Sequence, residues 1–179
     1  MKSSKISIKI YAKPTTVPAR AKLVEVFHDM IRLDTLAETM IDVVDYGHVH
    51  HGPHVLFVGH ESDYALDEGE GRVGLVYTRK RAPDPGPHAR LADSLRRLFD
   101  LASKLEAEPR LAPLSFERTE LRLRVLDRLL APNSDATFAE ERDGIALAAR
   151  AHLGERVELI REGSDPREPF TVRVTVPGG

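Results

Sequence analysis

Residues 1–13 read MKSSKISIKIYAK and contain the first regular pattern of the chain. Apolar Ile6, Ile8 and Ile10 alternate with polar residues. A period of two predicts a β-strand with one buried face, because successive side chains of a strand point to opposite sides of a sheet. Pro14 ends this pattern.

The segment that follows the strand predicts a helix. It reads KPTTVPA over residues 13–19, where Thr15 or Thr16 is expected to cap the helix and Pro18 to lie in its first turn. Apolar residues then recur at helical spacing to about residue 33.

The same order of elements occurs twice along the chain. Residues 5–60 and residues 117–176 both predict strand, helix, strand, turn, strand, and Ser134 is expected to cap the second of these helices. A βαββ unit covers its sheet poorly alone, so two units can share one core. Alternatively, a common arrangement occurs twice by chance.

Between the two units, APDPGP (82–87) predicts a linker and leucines at helical spacing predict a further helix that ends near Glu108. A turn at 67–72 precedes a strand at 73–80. We therefore predict an α+β fold. It comprises two βαββ-like halves that form a mainly antiparallel sheet with helices packed on one face. The predicted parts of this compact unit are 1–81, 82–115 and 116–179.

Composition excludes several classes of function. The 179 residues are 41% hydrophobic and 30% charged, as in globular proteins, and include no cysteine. Disulfides, iron–sulfur clusters, thiolate zinc sites and cysteine nucleophiles are therefore excluded. A net charge of −2 with mixed signs predicts no nucleic-acid partner. The chain lacks the ~20-residue apolar run of a membrane span and a signal-like start, which favours no membrane partner and a cytoplasmic protein.

Histidines concentrate in residues 45–64, DYGHVHHGPHVLFVGHESDY, where five of the eight in the chain occur. Neutral imidazoles and a carboxylate are ligands of divalent Zn, Fe, Mn, Ni or Cu. The candidate metal ligands are His48, His50, His51, His54, His60 and Asp45.

The residues that flank these histidines suggest further roles. In an enzyme, Glu61 or Asp63 would move a proton, and Tyr46 or Tyr64 could hold a ligand. The leading hypothesis is a metal-binding protein, possibly a metal-dependent enzyme. The alternatives are a metal-free module that binds a small molecule through the same histidines and tyrosines, and a structural homodimer formed through uncovered sheet edges.

The turn of this hairpin decides which histidines share a face. A two-residue turn at Gly52-Pro53 would pair Asp45 with His60 and put both on the face of His51 and His54. Proline at the second turn position does not fit the favoured hairpin turns, so a longer or bulged loop is expected.

Overall fold

The computed structural model describes residues 3–49, 53–81, 83–86 and 89–178, in which eight strands and three helices form. In chain order these are β1 (Ile6–Ala12), α1 (Arg20–Arg32), β2 (Met40–Asp45), β3 (Pro53–Gly59), β4 (Ser62–Asp67), β5 (Gly74–Arg79), α2 (Arg90–Ala107), β6 (Phe116–Val125), α3 (Asp135–Leu153), β7 (Glu158–Glu162) and β8 (Phe170–Thr175). None of the helices in these ranges is long and apolar enough to cross a membrane.

All eight strands belong to one antiparallel sheet, in the order β2-β3-β4-β5-β1-β6-β8-β7. The predicted α+β class is confirmed. The C-terminal half is β6-α3-β7-β8, while the N-terminal half has two more strands, β4 and β5, in addition to its βαββ elements. The first strands of the two halves, β1 and β6, pair at the centre, so a single sheet includes both.

The alternation in β1 determines which side of the sheet is covered. Ile6, Ile8 and Ile10 are fully buried. On β6 they face Val125, Leu123 and Leu121, which are also buried. Burying an aliphatic side chain of this size stabilises a fold by about 1.5–3 kcal/mol, so this central row is a major source of stability.

The three helices cover the same face of the sheet. α1 packs on β2 and β3, α2 on β1 and β5, and α3 on β6 and β7. Phe27 of α1 stacks on Phe57 of β3 with ring centroids 4.3 Å apart. The opposite face of the sheet carries no helix among the described residues.

One helix start was predicted correctly and the other was not. Ser134 caps α3, since its hydroxyl accepts a hydrogen bond from the Thr137 N–H at 3.2 Å. The predicted cap at Thr15 or Thr16 is wrong, because Pro14–Thr16 form a 3-10 turn and α1 begins only at Arg20. The Thr16 hydroxyl donates instead to the Lys13 carbonyl at 2.8 Å.

The strand β4 is absent from the sequence prediction. Its inward residues are Ser62, Tyr64 and Leu66, which pair with inward residues of β5. A serine at a buried position weakens the apolar alternation that identifies a strand. The hydrogen-bond partner that stabilises a serine at this buried position is distant in sequence.

That partner is Glu38, whose side chain is 1% exposed. Its carboxylate accepts hydrogen bonds from the Ser62 N–H at 2.9 Å, the Ser62 hydroxyl and the Tyr64 hydroxyl at 3.0 Å. Arg97 of α2 lies 3.3 Å away and also contacts Glu61 at 2.8 Å. Glu38 therefore joins the entry to β2, the β3–β4 turn and α2.

Replacement of Glu38 tests this role in stability. We expect Glu38→Ala to lower the free energy of unfolding by about 3–5 kcal/mol, because it leaves the buried Ser62 and Tyr64 donors without their acceptor and removes one of the carboxylates that contact Arg97. Urea unfolding measures this change. The control is Glu25→Ala, whose exposed pair with Lys22 is expected to contribute less than about 1 kcal/mol. Equal losses in the two variants would contradict the role of Glu38.

A partly buried imidazole links α3 to α2. His152 stacks on Phe99 with ring centroids 4.6 Å apart, and the Arg118 guanidinium lies over the same phenyl ring. Burial, and to a lesser extent the charge of Arg118, lower the pKa of His152 below 6.5. The folded state therefore disfavours protonation of this histidine.

This shift predicts the direction of a pH effect on stability. Below about pH 6.5 the unfolded chain binds a proton at His152 that the folded chain resists, so stability falls as the pH drops through this region. In the His152→Leu variant, which retains an apolar contact, we expect the free energy of unfolding to fall less steeply between about pH 7 and pH 5. Unfolding curves measured across this range, beside exposed His60→Gln as a control, test the prediction, and equal slopes in wild type and His152→Leu would contradict it.

Candidate functional site

The β2–β3 hairpin has a long connection. Asp45 pairs with Val55, and the Tyr46 N–H donates to the His54 carbonyl at 3.0 Å. The expected longer loop is confirmed, whereas the pairing of Asp45 with His60 from a two-residue turn is wrong. The predicted ligands His50 and His51 lie outside the described residues.

At the loop end of this hairpin, two of the predicted metal ligands have other partners. Asp45 contacts Arg20 at 3.0 Å, and the Gly47 N–H and Arg20 lower the pKa of its carboxyl group. His54 contacts Glu68 at 2.8 Å. The His48 ring is exposed and lies 6.4 Å from that of Tyr46.

Three further candidate site residues lie at the other end of β3. His60 is exposed, Glu61 contacts Arg97 at 2.8 Å, and Asp63 contacts Lys80 at 2.7 Å. His60 follows His54 by six residue steps along the extended chain, which corresponds to about 20 Å. The two histidines therefore cannot coordinate one metal ion.

The two tyrosines occupy different environments. Tyr46 lies at the loop end, beside His48. Tyr64 is buried beneath the helices, where burial and the Glu38 carboxylate raise the pKa of its hydroxyl. Asp63 lies on the opposite face of the same strand, so Asp63 and Tyr64 are on different sides of the sheet.

Among residues 3–49, 53–81, 83–86 and 89–178, no group of three or more His, Asp or Glu side chains could hold a metal ion. A site that includes His50 or His51 lies beyond this finding. The metal, the proton-moving roles of Glu61 and Asp63 and the ligand-binding roles of both tyrosines stay predictions.

The distance along β3 allows a test of the metal hypothesis. If the loop binds a metal, we expect the His60→Ala variant to retain the metal and the His48→Ala variant to lose it, because of these two histidines His48 lies at the loop end and His60 at the other end of β3. Elemental analysis of untagged protein, after exposure to Zn, Fe(II), Mn, Ni and Cu, measures the metal content. Loss of metal in His60→Ala alone would contradict this location, and a metal-free wild type would exclude such a site.

The sheet face without helices contains a second, unpredicted candidate site. One cross-strand row runs from β3 to β6 through paired neighbours: Leu56, Ala65, Val76, Lys9 and Arg122. The row begins with three apolar side chains and ends with two cations. It therefore has an apolar end and a positive end.

A neighbouring row completes a cavity on this face. Thr78 pairs with Ser7, and Ser7 pairs with Arg124. With the first row and Asp67, these residues line a cavity of about 290 Å³. Small-molecule pockets in proteins commonly enclose about 300–1,000 Å³, so this cavity suits a small organic molecule.

Lys9 is the least expected member of this site, because its side chain is only 8% exposed. Its ammonium donates to Asp67 at 2.7 Å and to the Gly69 carbonyl at 2.8 Å. Gly74 leaves room for it, since a Cβ at this position would lie 2.7 Å from Cε of Lys9. An ammonium has three donors, and the described part of the chain provides acceptors for two.

Sequence reasoning missed this site because its residues come from five strands. The alternation of each strand indicated which residues face away from the core. Ser7 and Lys9 occupy the positions between the buried isoleucines of β1. Arg122 and Arg124 occupy the corresponding positions between buried leucine and valine residues of β6. Which strands stand side by side could not be derived from this alternation.

No protein-family model matches the chain, and no curated protein is significantly similar to it.

Proposed function

We propose that this chain binds a small organic molecule in the cavity on the helix-free face of the sheet. The observation that carries the proposal is the combination of apolar side chains, hydroxyl groups and a nearly buried ammonium around one cavity of about 290 Å³. Ligand sites combine apolar side chains with placed polar groups, and the lining of this cavity contains both kinds.

The apolar part of the cavity supports binding of a hydrocarbon group. Leu56, Ala65 and Val76 are direct neighbours on β3, β4 and β5. Covering them with a ligand would remove apolar surface from water, which contributes about 25 cal/mol per Å². The hydroxyl groups of Ser7 and Thr78, 3.3 Å apart, can bond the polar part of the same ligand.

This proposal keeps the hypothesis of a metal-free module that binds a small molecule. It places the binding site at different residues. The lining comes from β1, β3, β4, β5 and β6, and not from the histidines and tyrosines of 45–64. His54 is near, since its neighbour in the strand, two residues on, is Leu56 of the cavity.

Filling the cavity tests the proposal. Ala65 is 7% exposed and lines the cavity, so we expect Ala65→Leu to occupy the ligand space and weaken binding at least about tenfold. The probes are benzyl alcohol, phenylacetate, phenyl phosphate and benzylamine. Backbone amide shifts of the lining residues report binding as each compound is titrated to millimolar concentration.

The matched control is Ala139→Leu, which adds the same side chain at an exposed position of α3. It should bind every compound as the wild type does. If none of the four compounds shifts the lining amides, or if Ala65→Leu binds them unchanged, the cavity does not act as a ligand site.

Two further proposals concern the environment of the protein. The end strands β2 and β7 leave two sheet edges unpaired in the described chain, and an edge can pair with a second copy to form a homodimer.

We also propose a cytoplasmic location, which the absence of cysteine favours.

A further inference from the structure

We infer that two copies of this chain join through β7, in a two-fold antiparallel pairing centred on Leu159 that continues the sheet from one copy into the other. The inference rests on the homodimer of the proposed function, because it names the edge and the register that such a dimer would use. It depends on the backbone hydrogen bonds and the order of charges in one strand, and not on the cavity.

The backbone of β7 faces the free edge of the sheet at alternate residues. The Val176 N–H donates to the Thr119 carbonyl at 2.8 Å, so the even-numbered residues of β8 bond to β6 and the odd-numbered residues bond to β7. The partners of these odd-numbered residues on β7 are Glu158, Ile160 and Glu162. The N–H and C=O groups of Leu159 and Arg161 therefore point away from the sheet, and the described residues provide no partner for them.

An edge of this kind suits a further strand as its partner. N–H and C=O groups that alternate at strand spacing are paired by another extended backbone. β7 keeps a regular register with β8 from Glu158 to Glu162, without a bulge that would turn the edge away. The Ile160 side chain is 46% exposed here and would be partly covered by an added strand.

The opposite edge of the sheet is protected against such pairing. The strand β2 contains a bulge between Met40 and Asp42, and bulges disfavour pairing at an edge. The Tyr46 N–H bonds to β3, so alternation directs the Val43 N–H to the edge. The Asp42 carboxylate accepts this N–H at 2.7 Å. A second copy would have to displace the carboxylate, which favours β7 over β2.

The charges of β7 disfavour most of the possible registers. In a two-fold antiparallel pairing, the central residue lies opposite its own counterpart and its neighbours pair symmetrically. A centre at Glu158, Arg161 or Glu162 would place that residue opposite its own charge. A centre at Ile160 would place Glu158 opposite Glu162 twice. Like charges directly opposite each other destabilise a sheet, so these four registers are disfavoured.

The register centred on Leu159 avoids these repulsions. It places Glu158 opposite Ile160 of the second copy. It also places exposed Arg156 opposite Glu162, so that two symmetric pairs join opposite charges. This complementarity of the strand with itself identifies a second copy of the chain as the partner.

The end of β7 is consistent with this centre. The Gly163 carbonyl, directly beyond the strand, accepts the Arg161 guanidinium at 2.7 Å, and Gly163 has a φ of 76° that ends the extended conformation. Pairing can therefore extend only toward Val157, as a centre at Leu159 requires. One strand of five residues forms a small interface, so we expect a reversible dimer.

Charge substitutions at Ile160 test the edge and the register. We expect Ile160→Glu to weaken dimerisation at least about tenfold, because it places carboxylates opposite each other at two symmetric positions. The double variant Glu158→Lys/Ile160→Glu should restore the dimer, since both positions then join opposite charges. Sedimentation equilibrium from micromolar to millimolar protein concentration measures the dissociation constant.

The matched control is Ile41→Glu, which adds the same charge at an exposed isoleucine of the other edge strand, β2. This variant should dimerise as the wild type does.

Hydrogen exchange of the wild type gives a second measurement that needs no variant. The amide protons of Leu159 and Arg161 should exchange rapidly in dilute protein, and at least about tenfold more slowly when the dimer forms. The Ile160 amide, which bonds to β8 in each copy, should be protected at every concentration and serves as the internal reference.

The outcomes separate this inference from the proposed homodimer. If the wild type stays monomeric at millimolar concentration, both fail. If it dimerises and Ile160→Glu leaves the dimer intact, the homodimer stands but β7 is not its interface, and weakening by Ile41→Glu would assign β2 instead. If Ile160→Glu weakens the dimer and the added Glu158→Lys does not restore it, the register centred on Leu159 is wrong.

Discussion

The pairing of β1 with β6 is the interaction on which the rest of the structure depends. It places two alternating strands at the centre of one sheet, with isoleucine, leucine and valine on one face and lysine, arginine and serine on the other. The apolar face requires cover, which the three helices provide. The polar face is thereby left without a helix among the described residues.

Buried polar groups then fix the parts that apolar packing alone would position loosely. Glu38 connects the α1–β2 segment, the β3–β4 turn and α2 through directional hydrogen bonds. Such bonds require particular partners, whereas apolar contacts tolerate small displacements. Glu61, the predicted proton-moving residue, lies in the same β3–β4 turn. Its partner is Arg97 of α2.

The helix-free face of the sheet carries charged side chains from several strands. Cations on β1, β6 and β8 alternate with buried residues, and carboxylates of the chain contact three of them: Asp67 contacts Lys9, and Glu162 contacts Arg122 and Arg173. Rigid strands hold such groups in place more firmly than loops do, so a ligand would meet preorganised donors. His54 and Glu68, which contact each other, lie near one end of this sheet.

The sequence by itself determined the α+β class, the order of most elements and the capped start of α3, because periodicity and capping are local properties. It missed β4, since buried Ser62 is explained only by distant Glu38. It also emphasised a cluster of histidines, of which His54 and His60 are close in sequence but lie at opposite ends of β3. The cavity arose only in the tertiary structure, because strand order decides which outward residues of five separate strands become neighbours.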